Sequence, residues 1–168
     1  MMRSLLFLLP ALVLSHLALA GTLEVLVEIP RLKVAEYHRP YVAVWLEKEG
    51  GDAVDLALWY KVKRKQGEKW IRELTRYWRR SGRTREFPID AVSAATHAPG
   101  VYGLRFRSDE APLGELEPGQ YMLWVQAVRE AGDRELLKVP FIWPAQEQQV
   151  LKVSGTSELG EIVLTISP

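Results

Sequence analysis

The sequence predicts a mainly all-β chain folded as one immunoglobulin-like β-sandwich of about seven to eight strands, with one amphipathic helix inserted. Three observations carry that expectation. Apolar residues recur at every second position in most of the short β-rich runs, turn-forming residues separate those runs, and a single stretch switches to helical spacing.

At the N-terminus, Arg3 precedes an apolar run from Leu5 to Leu19 that closes on Ala18-Leu19-Ala20 before Gly21. Basic, apolar and small-residue regions in that order predict a signal peptide over residues 1–20 and export of a single domain over residues 21–168. An uncleaved anchor is the alternative, but a spanning helix needs about 20 apolar residues, and this shorter run is interrupted by Pro10 and His16.

Along the remaining chain, Leu23, Val25, Val27 and Ile29 alternate with Glu24 and Glu28, so residues 22–29 read as a half-buried strand. Tyr41 to Leu46 is apolar on both faces, and Gly50-Gly51 turns it into a second such run, Val54 to Val62, predicting a hairpin of two central strands. Over residues 67–81 the period changes. Trp70, Ile71, Leu74, Tyr77 and Trp78 share one helical face, Arg72, Arg76, Arg79 and Arg83 another, and Ser81-Gly82 ends the helix. Strands then follow at Tyr102 to Arg107, at Tyr121 to Val128 after Pro118-Gly119, and at Leu136 to Trp143 after Ala131-Gly132-Asp133. A short strand from Val150 and a last one through Ile162, Leu164 and Ile166 flank the Ser154-Gly155-Thr156-Ser157 turn.

Composition narrows the function classes. The chain has no cysteine, so an exported fold here rests on its core, without disulfides or thiolate metal sites. Without Arg3 the basic and acidic residues balance at 21 each, which does not favour nucleic acid or an anionic membrane as partner. Only His38 and His97 lie beyond the leader, no serine sits in a nucleophile-elbow context, and no glycine run cradles phosphate, so an ordinary hydrolase is not indicated. A metal site on two histidines 59 positions apart has no diagnostic spacing.

The segment Asp90-Ala91-Val92-Ser93-Ala94-Ala95-Thr96 is small, polar and loop-like. It resembles the motif recognised by bacterial flavin transferases: Asp, two variable residues, Ser or Thr, Gly, Ala and Thr. The resemblance implies that Thr96 becomes phosphoester-linked to FMN, with Asp90, Ser93, Ala94 and Ala95 shaping a slender acceptor loop. Asp90 is expected to hold the loop through Asx-type bonds to the backbone. This sequence has Ala94 where the motif has Gly, and a left-handed backbone there would disfavour alanine by roughly 1 kcal/mol.

A longer series, Arg39-Pro40-Tyr41-Val42-Ala43-Val44-Trp45, Leu58-Trp59-Tyr60, Trp78-Arg79-Arg80-Ser81-Gly82-Arg83, Asp90-Ala91-Val92, Pro99-Gly100-Val101-Tyr102, Pro118-Gly119-Gln120-Tyr121 and Glu158-Leu159-Gly160, is similar to the predicted periplasmic family called domain of unknown function 2271. That resemblance implies an extracytoplasmic electron-transfer setting, with a flavin transferase and a PepSY-type membrane protein as partners. Pro99 to Ala127 is also similar to the immunoglobulin-like module of flagellar hook-capping proteins, which speaks to fold alone.

Arg79, Arg80, Arg83 and Arg85 lie close in sequence to the loop, and guanidinium groups suit phosphate. Arg83 is therefore expected to assist the FMN phosphate; the other reading is a solvated helix face paired with Glu68 or Glu73. Trp45 and Trp59 fall in central-strand patterns and read as core, while Trp70, Trp78 and Tyr77 suit either core or an aromatic wall. The expected role is a carrier rather than an enzyme, with FMN as the redox group. The competing class is a cofactor-free exported module that docks on a membrane or envelope partner through sheet edges or exposed aromatics.

Overall fold

A computed structural model describes residues 20–63 and 65–168; all of the predicted leader but Ala20 therefore lies outside the described residues. The described chain forms nine strands in two sheets with two short helices. The strands are β1 (Thr22–Ile29), β2 (Tyr41–Lys48), β3 (Ala53–Trp59), β4 (Ser93–Ala94), β5 (Gly100–Arg107), β6 (Gly119–Val128), β7 (Arg134–Trp143), β8 (Gln149–Ser154) and β9 (Glu161–Ser167). The helices are α1 (Lys65–Ile71) and α2 (Thr75–Arg80).

One sheet has the order β5-β1-β9-β8 and the other β4-β3-β2-β6-β7, every pairing being antiparallel except the parallel contact of β4 with β3. Side chains on alternate positions meet between the sheets: Leu23, Val25 and Val27 from β1, Val42, Val44 and Leu46 from β2, and Ile162, Leu164 and Ile166 from β9. Fully burying each such side chain contributes roughly 1.5–3 kcal/mol, so this layer is the main source of stability.

The helices cover the outer face of the five-stranded sheet. Tyr41, Ala43 and Trp45 on the second face of β2 pack there with Leu58, Tyr60, Ile71, Leu74 and Tyr77. This explains why β2 is apolar on both faces and buried from Tyr41 to Leu46. Trp45 and Trp59 are core, as their strand context indicates. Trp70 and Trp78 are half-buried against the same layer, stacked on Tyr41 and Phe87.

The single predicted helix over 67–81 is instead two helices with a break at Arg72, Glu73 and Leu74. The amphipathic face survives the break, since Ile71, Leu74 and Tyr77 are all fully buried. A tertiary contact accounts for the new helix start. Gln126 on β6, itself buried, offers its side-chain carbonyl to the Arg76 and Tyr77 N–H groups at 3.1 Å each, so α2 is capped from the sheet rather than by a local polar residue.

Candidate functional site

The Asp90–Thr96 segment is a closed turn that feeds a two-residue strand and then opens. The Ile89 carbonyl accepts from the N–H groups of Val92 at 3.3 Å and Ser93 at 2.9 Å, while the Ser93 hydroxyl accepts the Ile89 N–H at 2.9 Å. Ser93 thus holds the turn. Asp90 is exposed and makes no such bond, so the Asx arrangement expected of it is replaced by Ser93. The left-handed residue of the turn is Ala91, with φ of 59°. Ala94 is extended and its carbonyl accepts the Tyr60 N–H at 2.9 Å, so the backbone here places no demand for glycine at that position.

Thr96 lies just past this strand. It is half-buried, its hydroxyl has no hydrogen-bond partner among the described residues, and that oxygen is not sealed from solvent. Ala94 and Ala95 before it are exposed and slim. The Thr96 carbonyl accepts a long hydrogen bond, 3.5 Å, from Nη1 of Arg39 at the foot of β2.

Next to it His97 wedges between two aromatic rings, stacked on Tyr102 at 4.1 Å and edge-on to Trp59 at 4.4 Å. Tyr102 is tied back by its hydroxyl, which donates to the Ala98 carbonyl at 2.8 Å. Burial, and after it the Arg39 charge, holds the His97 imidazole below its usual pKa, so it is neutral at pH 7. Arg39 also acts on the Tyr37 phenol, which burial pushes up. Behind Tyr37, Arg129 donates to Glu158 at 2.9 Å, with both side chains almost fully buried. The Tyr37 hydroxyl and Nη1 of Arg129 are buried without a partner.

A second polar cluster closes the same end. Lys61 at 2.5 Å and the Tyr41 hydroxyl at 2.9 Å both donate to Glu130. Burial pulls the Glu130 carboxyl up, yet those two bonds win and hold it below the ordinary range.

The arginines nearest in sequence to Thr96 are elsewhere. Arg80 reaches the Gly51 carbonyl and Glu47, and Arg85 reaches Asp55 at 3.1 Å. Arg83 lies between Ser81 and Arg85, both of which bond Asp55, and is exposed. Asp55 sits near the start of β3 and Thr96 beyond its end; at roughly 3.3 Å per residue Trp59 alone is about 13 Å from Asp55. The structure therefore brings Arg39, not Arg83, to Thr96; Arg76 and Arg80 pair with Glu47 and Arg85 with Asp55, Arg79 donates to the Thr75 carbonyl, and among the described residues none of these pairs with Glu68 or Glu73. Glu73 pairs instead with Arg134.

His38 pairs with Glu36 at 3.1 Å, and among the described residues no group of three or more His, Asp or Glu side chains is placed to hold a metal ion. No helix among them is long and apolar enough to cross a membrane. The family model described as predicted periplasmic protein (DUF2271) matches residues 22–161. No curated protein and no solved structure matches the chain.

Proposed function

The chain belongs to the DUF2271 family of predicted periplasmic proteins, and on that footing we propose that it is a periplasmic electron-transfer or redox-accessory protein carrying FMN covalently on Thr96. The observation that carries this reading is the contrast between the two hydroxyls of the loop. Ser93 is engaged in the turn, whereas the hydroxyl of the half-buried Thr96 has no partner among the described residues and is not sealed from solvent, with two exposed alanines before it. An acceptor for a bulky transferase needs that access.

In the transfer, the Thr96 oxygen bonds to the FMN-side phosphorus of FAD, the pyrophosphate P–O bond breaks, AMP leaves, and the hydroxyl proton passes to the transferase or to water. The Val92 and Ala94 carbonyls, which accept the Leu58 and Tyr60 N–H groups, keep the loop anchored along β3 meanwhile. Once bound, the flavin supplies the electron chemistry, and the chain supplies position and charge. A flavin transferase and a PepSY-type membrane protein are the partners this reading requires.

Co-production with a flavin transferase, followed by intact mass of the exported protein, tests it. Wild type gains one FMN and Thr96→Ala gains none; a wild type of unaltered mass sinks the proposal, and an adduct on the Ala variant moves the site. A second reading, a cofactor-free docking module, draws on a cavity of about 620 Å³ at the far end of the sandwich, lined by Tyr121, Met122, Trp124 and Phe141 beside the exposed Ile142. That reading gains if the mass never changes.

A further inference from the structure

We propose that Arg39 is the phosphate-binding residue of the Thr96 site, pairing with the phosphodiester that joins FMN to the threonine; this rests on the flavin reading above. The geometry favours Arg39 in three respects. Its guanidinium is already on Thr96, through the carbonyl at 3.5 Å, a contact too long and weakly placed to compete with a charged oxygen. Among the described residues it has no carboxylate partner, unlike Arg76, Arg80 and Arg85, whose charges are matched by Glu47 and Asp55. Its backbone is fixed while its side chain is exposed: Pro40 confines it to an extended conformation, and Pro40 and Tyr41 are buried.

The surroundings support an anion rather than a second cation. The Tyr37 hydroxyl, near enough to Arg39 to feel its charge, is buried without a partner among the described residues, and the nearest buried ion pair, Arg129 with Glu158, is already matched. His97 on the other flank is neutral at pH 7 and offers a ring face instead of a competing charge. A phosphodiester carries one negative charge and two free oxygens, and a guanidinium can donate to both.

The experiment uses purified transferase and FAD on wild type, Thr96→Ala, Arg39→Gln and Arg39→Lys, with a mass time course and thermal melts of loaded and unloaded protein. Wild type is expected to label and to melt higher when loaded. Arg39→Gln should label about tenfold more slowly, the loss of one charge-assisted contact, and should lose the loaded-minus-unloaded difference, while Arg39→Lys recovers part of both. Unloaded Arg39→Gln should melt with unloaded wild type, because the side chain is exposed. Labelling of Arg39→Gln at the wild-type rate with the full melting difference overturns the role of Arg39 and leaves Thr96 standing. Slow labelling with a destabilised unloaded protein also overturns it, as a structural effect. Absence of label on wild type removes both readings together.

Discussion

Where β2 turns into β3, Arg76, Arg80 and Arg85 all end on carboxylates of the sheet, Glu47 and Asp55; at the opposite end of the same strands Arg39 ends on a main-chain carbonyl. The first arrangement neutralises its charges and ties the helical layer to the sheet. The second leaves a charge beside Thr96, whose hydroxyl has no partner among the described residues. Three arginines 11 to 20 positions before Thr96 thus tie the helical layer to the sheet, and one 57 positions away is the candidate for function. Strand direction decides this: α2 and the turn after it dock near the start of β3, and only the chain after Asp90 travels to its other end.

The contrast breaks most severely at Arg129. This side chain lies under Gly132, where any Cβ would stand 2.4 Å from its guanidinium carbon, and it is paired with a Glu158 that also accepts the Asp133 N–H. Arg129→Ala leaves Glu158 buried and uncompensated and should cost roughly 3–5 kcal/mol in denaturant unfolding. The double change Arg129→Met with Glu158→Gln should recover at least half of that loss, because it removes both charges and keeps an acceptor for Asp133. A double variant as unstable as the single would show that shape, not charge, governs this end.

Asp55 is the matching residue of the other end. Its Oδ2 accepts from the Ser81 hydroxyl at 2.8 Å and from Arg85 at 3.1 Å, while Oδ1 is buried and unpaired beside Tyr77. Asp55→Ala should cost roughly 1–3 kcal/mol by orphaning the Ser81 hydroxyl, yet leave FMN loading on Thr96 unchanged. A loading defect there would mean that the two ends are coupled. Asp55→Asn, which keeps one acceptor, should cost less.

Much of this architecture is legible in the sequence, and the misses have physical causes. The two apolar faces of β2 announce a strand covered on both sides, and Tyr41, Ala43 and Trp45 do meet the helical layer while Val42, Val44 and Leu46 meet the other sheet. The helix break is invisible locally because its cap, Gln126, arrives from a strand about 50 residues later. β4 is invisible because two residues carry no period; main-chain bonds to Leu58 and Tyr60 define it. Thr96 stands out by motif resemblance, but its arginine does not, since nothing in a linear reading brings Arg39 across the sheet.

The two ends should also answer acid with opposite signs. Burial, opposed by Ser81 and Arg85, raises the folded pKa of Asp55 above its ordinary 3.8, so the folded state binds the proton more tightly. That group's contribution to stability therefore falls as pH rises through its folded pKa and improves on acidification toward 3.8. His97 is the reverse: with its folded pKa below 6.5, the unfolded chain binds more protons, and stability drains away as pH falls from 6.5 through the folded value. In Arg39→Gln the Arg39 part of that depression disappears. Imidazole NMR titration should then show the His97 pKa moving up toward 6.5; an unmoved titration would remove Arg39 from the neighbourhood of the site.

The smallest expected effects come from two alanines three positions apart in the Asp90–Thr96 loop. Ala91, with φ of 59°, occupies the left-handed region that costs a side chain roughly 1–2 kcal/mol, so Ala91→Gly should relieve strain and raise stability by about 0.5 kcal/mol after the entropy of a freer unfolded chain is subtracted. Ala94 is extended and paired alongside Trp59, and Ala94→Gly there should lower stability by about 0.5–1 kcal/mol. The glycine found at this position in the resembling motif is therefore not a backbone requirement of this loop. If Ala94→Gly leaves stability unchanged but speeds FMN loading, the benefit of glycine lies in clearance for the transferase; if it stabilises the protein, the extended conformation assigned to Ala94 is wrong.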